Sequence, residues 1–142
     1  MRLPTPAAST RKRSDCYNKM DREGILAGFR LFLALWLLII IGYTAVVTAQ
    51  HGPDLLPVFL GDIAALGWPG QFNVDFSSFL MLSAVWVAWR HHCSIGGLAL
   101  ALVAAVGGGL FLTSYLLIAS WQEKGNMAAL LMGKTRAAAL RG

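Results

Sequence analysis

The amino-acid sequence predicts an all-α protein, a three-span transmembrane helical bundle. A short interfacial helix is expected in the first loop and a short amphipathic surface helix at the C-terminus. Three observations carry this prediction. Of the 142 residues, 56% are hydrophobic and only 13% charged, about half the charge of an ordinary soluble domain. Mean hydropathy is +0.58. From Leu31 to Trp89 there is no Lys or Arg at all. This composition argues against a soluble domain and against disorder. The net charge of +5 does not point to nucleic acid, because the basic residues gather at the two ends of the chain and not over a folded face.

Residues 1–23 are polar and basic, with Pro4, Pro6 and the run Ser9-Thr10-Arg11-Lys12-Arg13-Ser14. They read as a mobile tail that anchors the N-terminus in the cytoplasm through the positive-inside effect. Residues 24–121 form the membrane domain. Its first span covers 31–49, LFLALWLLIIIGYTAVVTA, without a charge. Nineteen residues at ~1.5 Å each reach about across a ~30 Å hydrocarbon core. Val47-Thr48-Ala49 resembles a signal-peptide cleavage site. The apolar run nevertheless exceeds the ~7–15 residues of a signal, and an uncleaved anchor is expected.

The loop after it holds Pro53, Pro57 and Pro69, with Gly52, Gly61, Gly67 and Gly70. Within it, residues 54–67 are too short to span and too apolar for open water, so they are expected to lie in or re-enter the interface. The second span is expected at 73–89, closed by Arg90, His91 and His92, and the third at 95–121. Residues 122–142 are expected to form a tail with one surface helix, Lys134 and Arg136 lying on its polar side. The odd number of spans places the N-terminus inside and the C-terminus outside, although the tail carries Lys124, Lys134, Arg136 and Arg141. The expected location is a bacterial inner membrane.

Few groups invite chemistry. Asp75 is the only carboxylate at membrane depth, and an intramembrane acid is a candidate for proton relay or cation binding. On a helical wheel Asp75, Ser78, Ser83, Trp86 and Arg90 fall on one broad side, so Asp75, Ser78, Ser83 and Arg90 form a candidate intramembrane polar site. The plainer alternative makes Asn73 a helix cap, with Asp75 in the first turn near the headgroups. His51 lies at the opposite end of the membrane from His91 and His92, which excludes bis-histidine haem within one chain. His91-His92-Cys93 are consecutive and do not converge on a metal ion. No nucleophile set is evident, and Gly107-Gly108-Gly109 lacks the context of a phosphate loop. No catalytic residue, metal or cofactor is therefore expected.

The strongest pattern is a helix-packing strip, Gly97, Ala101, Ala105, Gly109 and Thr113, which recurs every four residues. Small residues at this spacing let helices approach closely in lipid. The glycine triplet could instead permit a kink. The expected partners are the bilayer and other membrane-protein subunits or a second copy, with no nucleic acid. Three roles are weighed: an accessory or assembly component acting through helix contacts, an oligomeric proton- or cation-coupled carrier using Asp75, and, ranked last because the loop promises no defined pocket, a membrane-bound enzyme using Asp54 and Asp62 of the outer loop as acids.

Val74-Asp75-Phe76, then Ser83-Ala84-Val85-Trp86-Val87-Ala88-Trp89-Arg90, resembles an uncharacterised family of small polytopic membrane proteins found in bacteria and plants. Gly107, Gly108, Gly109 and Tyr115 extend the likeness, which covers residues 57–121. Ser77 departs from the aromatic residue often found there. The resemblance implies membrane topology and adds no chemistry.

Overall fold

A computed structural model describes residues 6–124 and 126–139, with side-chain surroundings from Glu23 onward. Six helices follow one another among the described residues: α1 (Pro6–His51), α2 (Leu55–Ala64), α3 (Trp68–Arg90), α4 (Ile95–Gln122), α5 (Met127–Met132) and α6 (Lys134–Ala139). Glu23–His51, Trp68–Arg90 and Ile95–Gln122 are each long and apolar enough to cross a membrane. The all-α architecture with short accessory helices is the one the sequence predicts.

Local sequence accounts for the boundaries. Pro6 opens α1, a position where its missing N–H costs nothing. No proline follows until Pro53, so helical backbone runs through residues 6–23, where a tail is expected; residues 1–5 of that tail lie outside the described residues. Gly52, at φ 78°, ends α1 and bonds back to the Thr48 carbonyl at 2.9 Å, with Pro53 next. α2 falls inside the expected interfacial segment. α3 starts at Trp68, with Pro69 in its first turn, five residues before the expected Asn73. Asn73 is therefore not a cap. It sits one turn inside α3, where its side-chain amide donates to the Phe59 carbonyl and to Asp62 of α2 at 3.2 and 3.4 Å. Gly70 is the closest approach of these two helices: a Cβ there would lie 2.2 Å from the Asp62 carbonyl oxygen. Ser94 caps α4 by accepting from the Gly97 N–H at 3.2 Å.

The path of α4 differs from expectation. As a straight helix its 28 residues would extend about 42 Å and end far from where they began. Yet Glu123, just past its end, lies 3.6 Å from Arg90, which precedes its start. The reason is Gly108, whose φ of 53° and ψ of −142° interrupt the helix; that region of backbone space is essentially reserved for glycine. The first arm, residues 95–107, runs antiparallel to α3, with Gly97 beside His91 and Gly108 beside Phe76 and Leu80. The second arm, residues 109–122, runs back antiparallel to α1, with Gly109 beside Ile40 and Ser120 bonded to Arg30. Each arm is about 20 Å long, short of the ~30 Å core. The sequence expects this segment to deliver the C-terminal tail to the opposite face. The contacts instead return the chain to the end it left, beside Arg30 and Arg90.

α4 thus stands between α1 and α3 and packs on both. The core is small: Val87, Ala101 and Ala104 are buried, with Trp86, Phe111 and Tyr115 packed around them. The packing strip is divided by the break. Gly97 and Ala101 are buried on the first arm, Ala105 is half-buried, Gly109 is exposed, and Thr113 is buried on the second arm. The single expected surface helix is two, α5 and α6, separated by Gly133 at φ 87°.

Candidate functional site

Arg90 is the centre of the most elaborate polar cluster. It closes α3 and is only 8% exposed. Its guanidinium donates from Nε to the Leu130 carbonyl at 2.8 Å, from Nη1 to the Tyr115 hydroxyl at 2.7 Å, and from Nη2 to the Ala129 carbonyl at 3.4 Å. Glu123 supplies the counter-charge at 3.6 Å. The Tyr115 ring lies under the guanidinium, 5.4 Å away. The two carbonyls belong to the last turn of α5, where a cation offsets the negative end of the helix.

Arginine only donates, so the Tyr115 oxygen accepts from it, and the same hydroxyl lies 2.7 Å from His91 Nε2. Burial, then the charge of Arg90, then His92, hold the His91 pKa below the ordinary 6.5. The C-terminal helices are further stapled by Trp86, whose indole N–H reaches the Leu131 carbonyl at 3.2 Å. Arg136 bonds to the Trp89 carbonyl and stacks on the Trp89 ring at 4.1 Å.

The sequence-derived polar site is dispersed. Arg90 turns inward to α4 and α5. Ser83 turns the same way, its hydroxyl buried without a protein partner. Asp75 and Ser78 are exposed on another side of α3, and the Ser78 hydroxyl donates to the Asp75 carbonyl at 2.6 Å. Asp75 is not in the first turn of its helix. It adjoins Phe76, whose ring meets Gly108, and Gly109 in turn meets Ile40, the midpoint of the uncharged stretch 31–49. The acid lies at the depth of the α4 break.

Sequence reasoning names Arg90 but misses its companions Tyr115, Glu123 and His91. Their meeting depends on the reversal of α4, for which Gly107-Gly108-Gly109 is the only sequence signal. No group of three metal-ligating side chains occurs among the described residues. Comparisons with family models, curated proteins and solved structures found no match.

Proposed function

We propose that this small membrane protein is an accessory or assembly component of a cytoplasmic membrane and acts through helix–helix contacts. The supporting observation is the exposed pair Asp75 and Ser78 on α3. An ionised carboxylate facing hydrocarbon near mid-bilayer costs about 2.5–3.5 kcal/mol on insertion scales. A neighbouring transmembrane helix that covers and hydrogen-bonds the acid removes that cost. The partner is another membrane subunit or a second copy of the chain. Gly97, Ala101 and Thr113 of the small-residue strip are already buried within the chain, whereas the Asp75 face is open for association.

The orientation follows from charge. The end of the bundle holding Arg30, Arg90, Lys124, Lys134 and Arg136 faces the cytoplasm, and the loop of residues 50–72, without Lys or Arg, faces out. Both chain ends then share the cytoplasmic side, and the basic tail no longer conflicts with the positive-inside rule.

Purification of the tagged protein in mild detergent, with cross-linking beforehand, tests the proposal. A stoichiometric partner or a defined oligomer is expected, lost in Asp75→Lys but retained in Leu102→Lys, a change at an exposed position of α4. Recovery of the unaltered protein as a lone monomer overturns it. A second reading, a cation-coupled carrier using Asp75, is favoured by the broken helix at the same depth. Ion flux in proteoliposomes that is unchanged in Asp75→Asn removes it.

A further inference from the structure

A cleft of about 360 Å³ opens between α1 and the end of α4. That volume falls within the ~300–1,000 Å³ of small-molecule sites. One wall is α1, through Glu23, Leu26 and Arg30, and the other is Trp121 of α4 with Lys124 just past its end. The sequence sets its depth. Arg30 is the last charge before the uncharged run 31–49, and Trp121 closes the apolar run 95–121. The cleft therefore lies at the boundary between hydrocarbon and water, where tryptophan side chains gather. Leu26 is buried and Trp121 is 58% exposed.

The two cations of the lining are set in place by the fold. Arg30 Nε donates to the Ser120 hydroxyl at 3.2 Å, and Nη2 donates to the Ser120 carbonyl at 2.7 Å. The hydroxyl in turn donates to the Leu117 carbonyl at 2.7 Å. Both Arg30 bonds use one edge of the guanidinium. Nη1 has no bonded partner among the described residues, so the Nη1–Nη2 edge is offered to a ligand by a side chain already ordered. Lys124 has a φ of 43°, a left-handed backbone uncommon for lysine, and its N–H bonds to the Trp121 carbonyl at 3.4 Å. This turn ends α4 and sets Lys124 on the cleft that Arg30 lines. The neighbouring acid, Glu123, is committed elsewhere, 3.6 Å from Arg90. Two cations thus stand against one carboxylate, Glu23.

We propose that this cleft binds the phosphodiester headgroup of an anionic phospholipid. The phosphate oxygens take the free edge of Arg30 and the Lys124 ammonium. The glyceryl carbons rest on Trp121 and Leu26, and the acyl chains continue into the bilayer. The single positive charge left over in the lining matches one phosphodiester, and a basic pocket between helices at this depth suits lipid headgroups. A zwitterionic headgroup would bring its own cation toward Lys124. Inorganic phosphate would leave the apolar part of the lining unused. The inference rests on the chain spanning a membrane and is independent of association through Asp75.

Native mass spectrometry of the full chain in detergent tests it, with phosphatidylglycerol, phosphatidylcholine and inorganic phosphate titrated separately. A single phosphatidylglycerol per chain is expected, held several-fold more tightly than phosphatidylcholine and not displaced by equimolar inorganic phosphate. Lys124→Gln and Arg30→Gln should each weaken it several-fold. Lys134→Gln removes the same charge from α6 at the same end of the bundle and should leave it unchanged. If Arg30→Gln does not fold without its bonds to Ser120, Lys124→Gln against Lys134→Gln carries the comparison. An equal loss in Lys134→Gln means a diffuse basic surface and overturns the site. Phosphatidylcholine held as tightly overturns the ligand class, and displacement by inorganic phosphate overturns lipid as its source. Absence of any retained phospholipid means that solvent or protein fills the cleft and overturns the proposal.

Discussion

Replacing Arg90 with methionine keeps the length and apolar stem of the side chain and removes its charge. The variant loses the bonds to Leu130, Ala129 and Tyr115 and leaves Glu123, also 8% exposed, without its counter-ion. Breaking a buried ion pair from one side costs about 3–5 kcal/mol, much of it the stranded charge. The Arg90–Glu123 separation of 3.6 Å is long for a tight pair, which favours the lower end, about 3 kcal/mol. The loss falls on the attachment of α5 and α6, since Arg90 is their main polar anchor. About 3 kcal/mol is roughly a hundredfold change in an equilibrium constant. Amide hydrogen exchange in residues 127–139 should accelerate by that order, and trypsin should cut sooner at Lys134 and Arg136. Adding Glu123→Leu removes the stranded acid and should restore part of the protection. Unchanged exchange in Arg90→Met would refute the anchoring role, and a double variant worse than the single one would refute the stranded-charge account.

Further outcomes follow from other sites. Gly108→Ala forces a side chain into backbone geometry reserved for glycine and sets its Cβ 3.2 Å from Phe76; it should lower stability by about 1–3 kcal/mol. Gly42→Ala, where a Cβ meets nothing, should raise it by up to about 1 kcal/mol; detergent-denaturation midpoints compare the two. His91 is held below its ordinary pKa of 6.5, so the unfolded chain takes up its proton first. Stability should therefore fall as pH drops through 6.5 and level off below the lower folded value, and His91→Gln should flatten that slope in melting curves from pH 8 to 5. With Cys93 replaced by serine, Cys16 and a cysteine added at the C-terminus should label from one side of sealed vesicles. Labelling from opposite sides would refute the shared side.

The Arg90 cluster shows how little of the site was legible. Its members lie at positions 90, 91, 115, 123 and 129–130, and no local pattern joins them. The Asp75 reading shows a nearer miss: the acid was visible, but its depth depended on α3 beginning at Trp68 and not at Asn73. The dispersal of Asp75 and Arg90 to different sides of α3 was likewise invisible, since a wheel shows angle and not what each sector meets.

What the sequence by itself determined was the three long apolar helices and the basic charge at each end of the chain. Long uncharged runs must satisfy their backbone as helix in lipid, and Gly52 with Pro53, and then Pro69, mark where one ends and another begins. Only the tertiary structure decided that α4 turns back at Gly108. Three glycines permit a straight helix, a bend or a reversal at little difference in local energy, because glycine accepts either sign of φ. The choice was made by distant neighbours, Ile40 on α1 and Phe76 and Leu80 on α3, which pack against the turn. That single reversal brings Glu123 to Arg90 and returns the C-terminal helices to the end of the bundle where α3 closes.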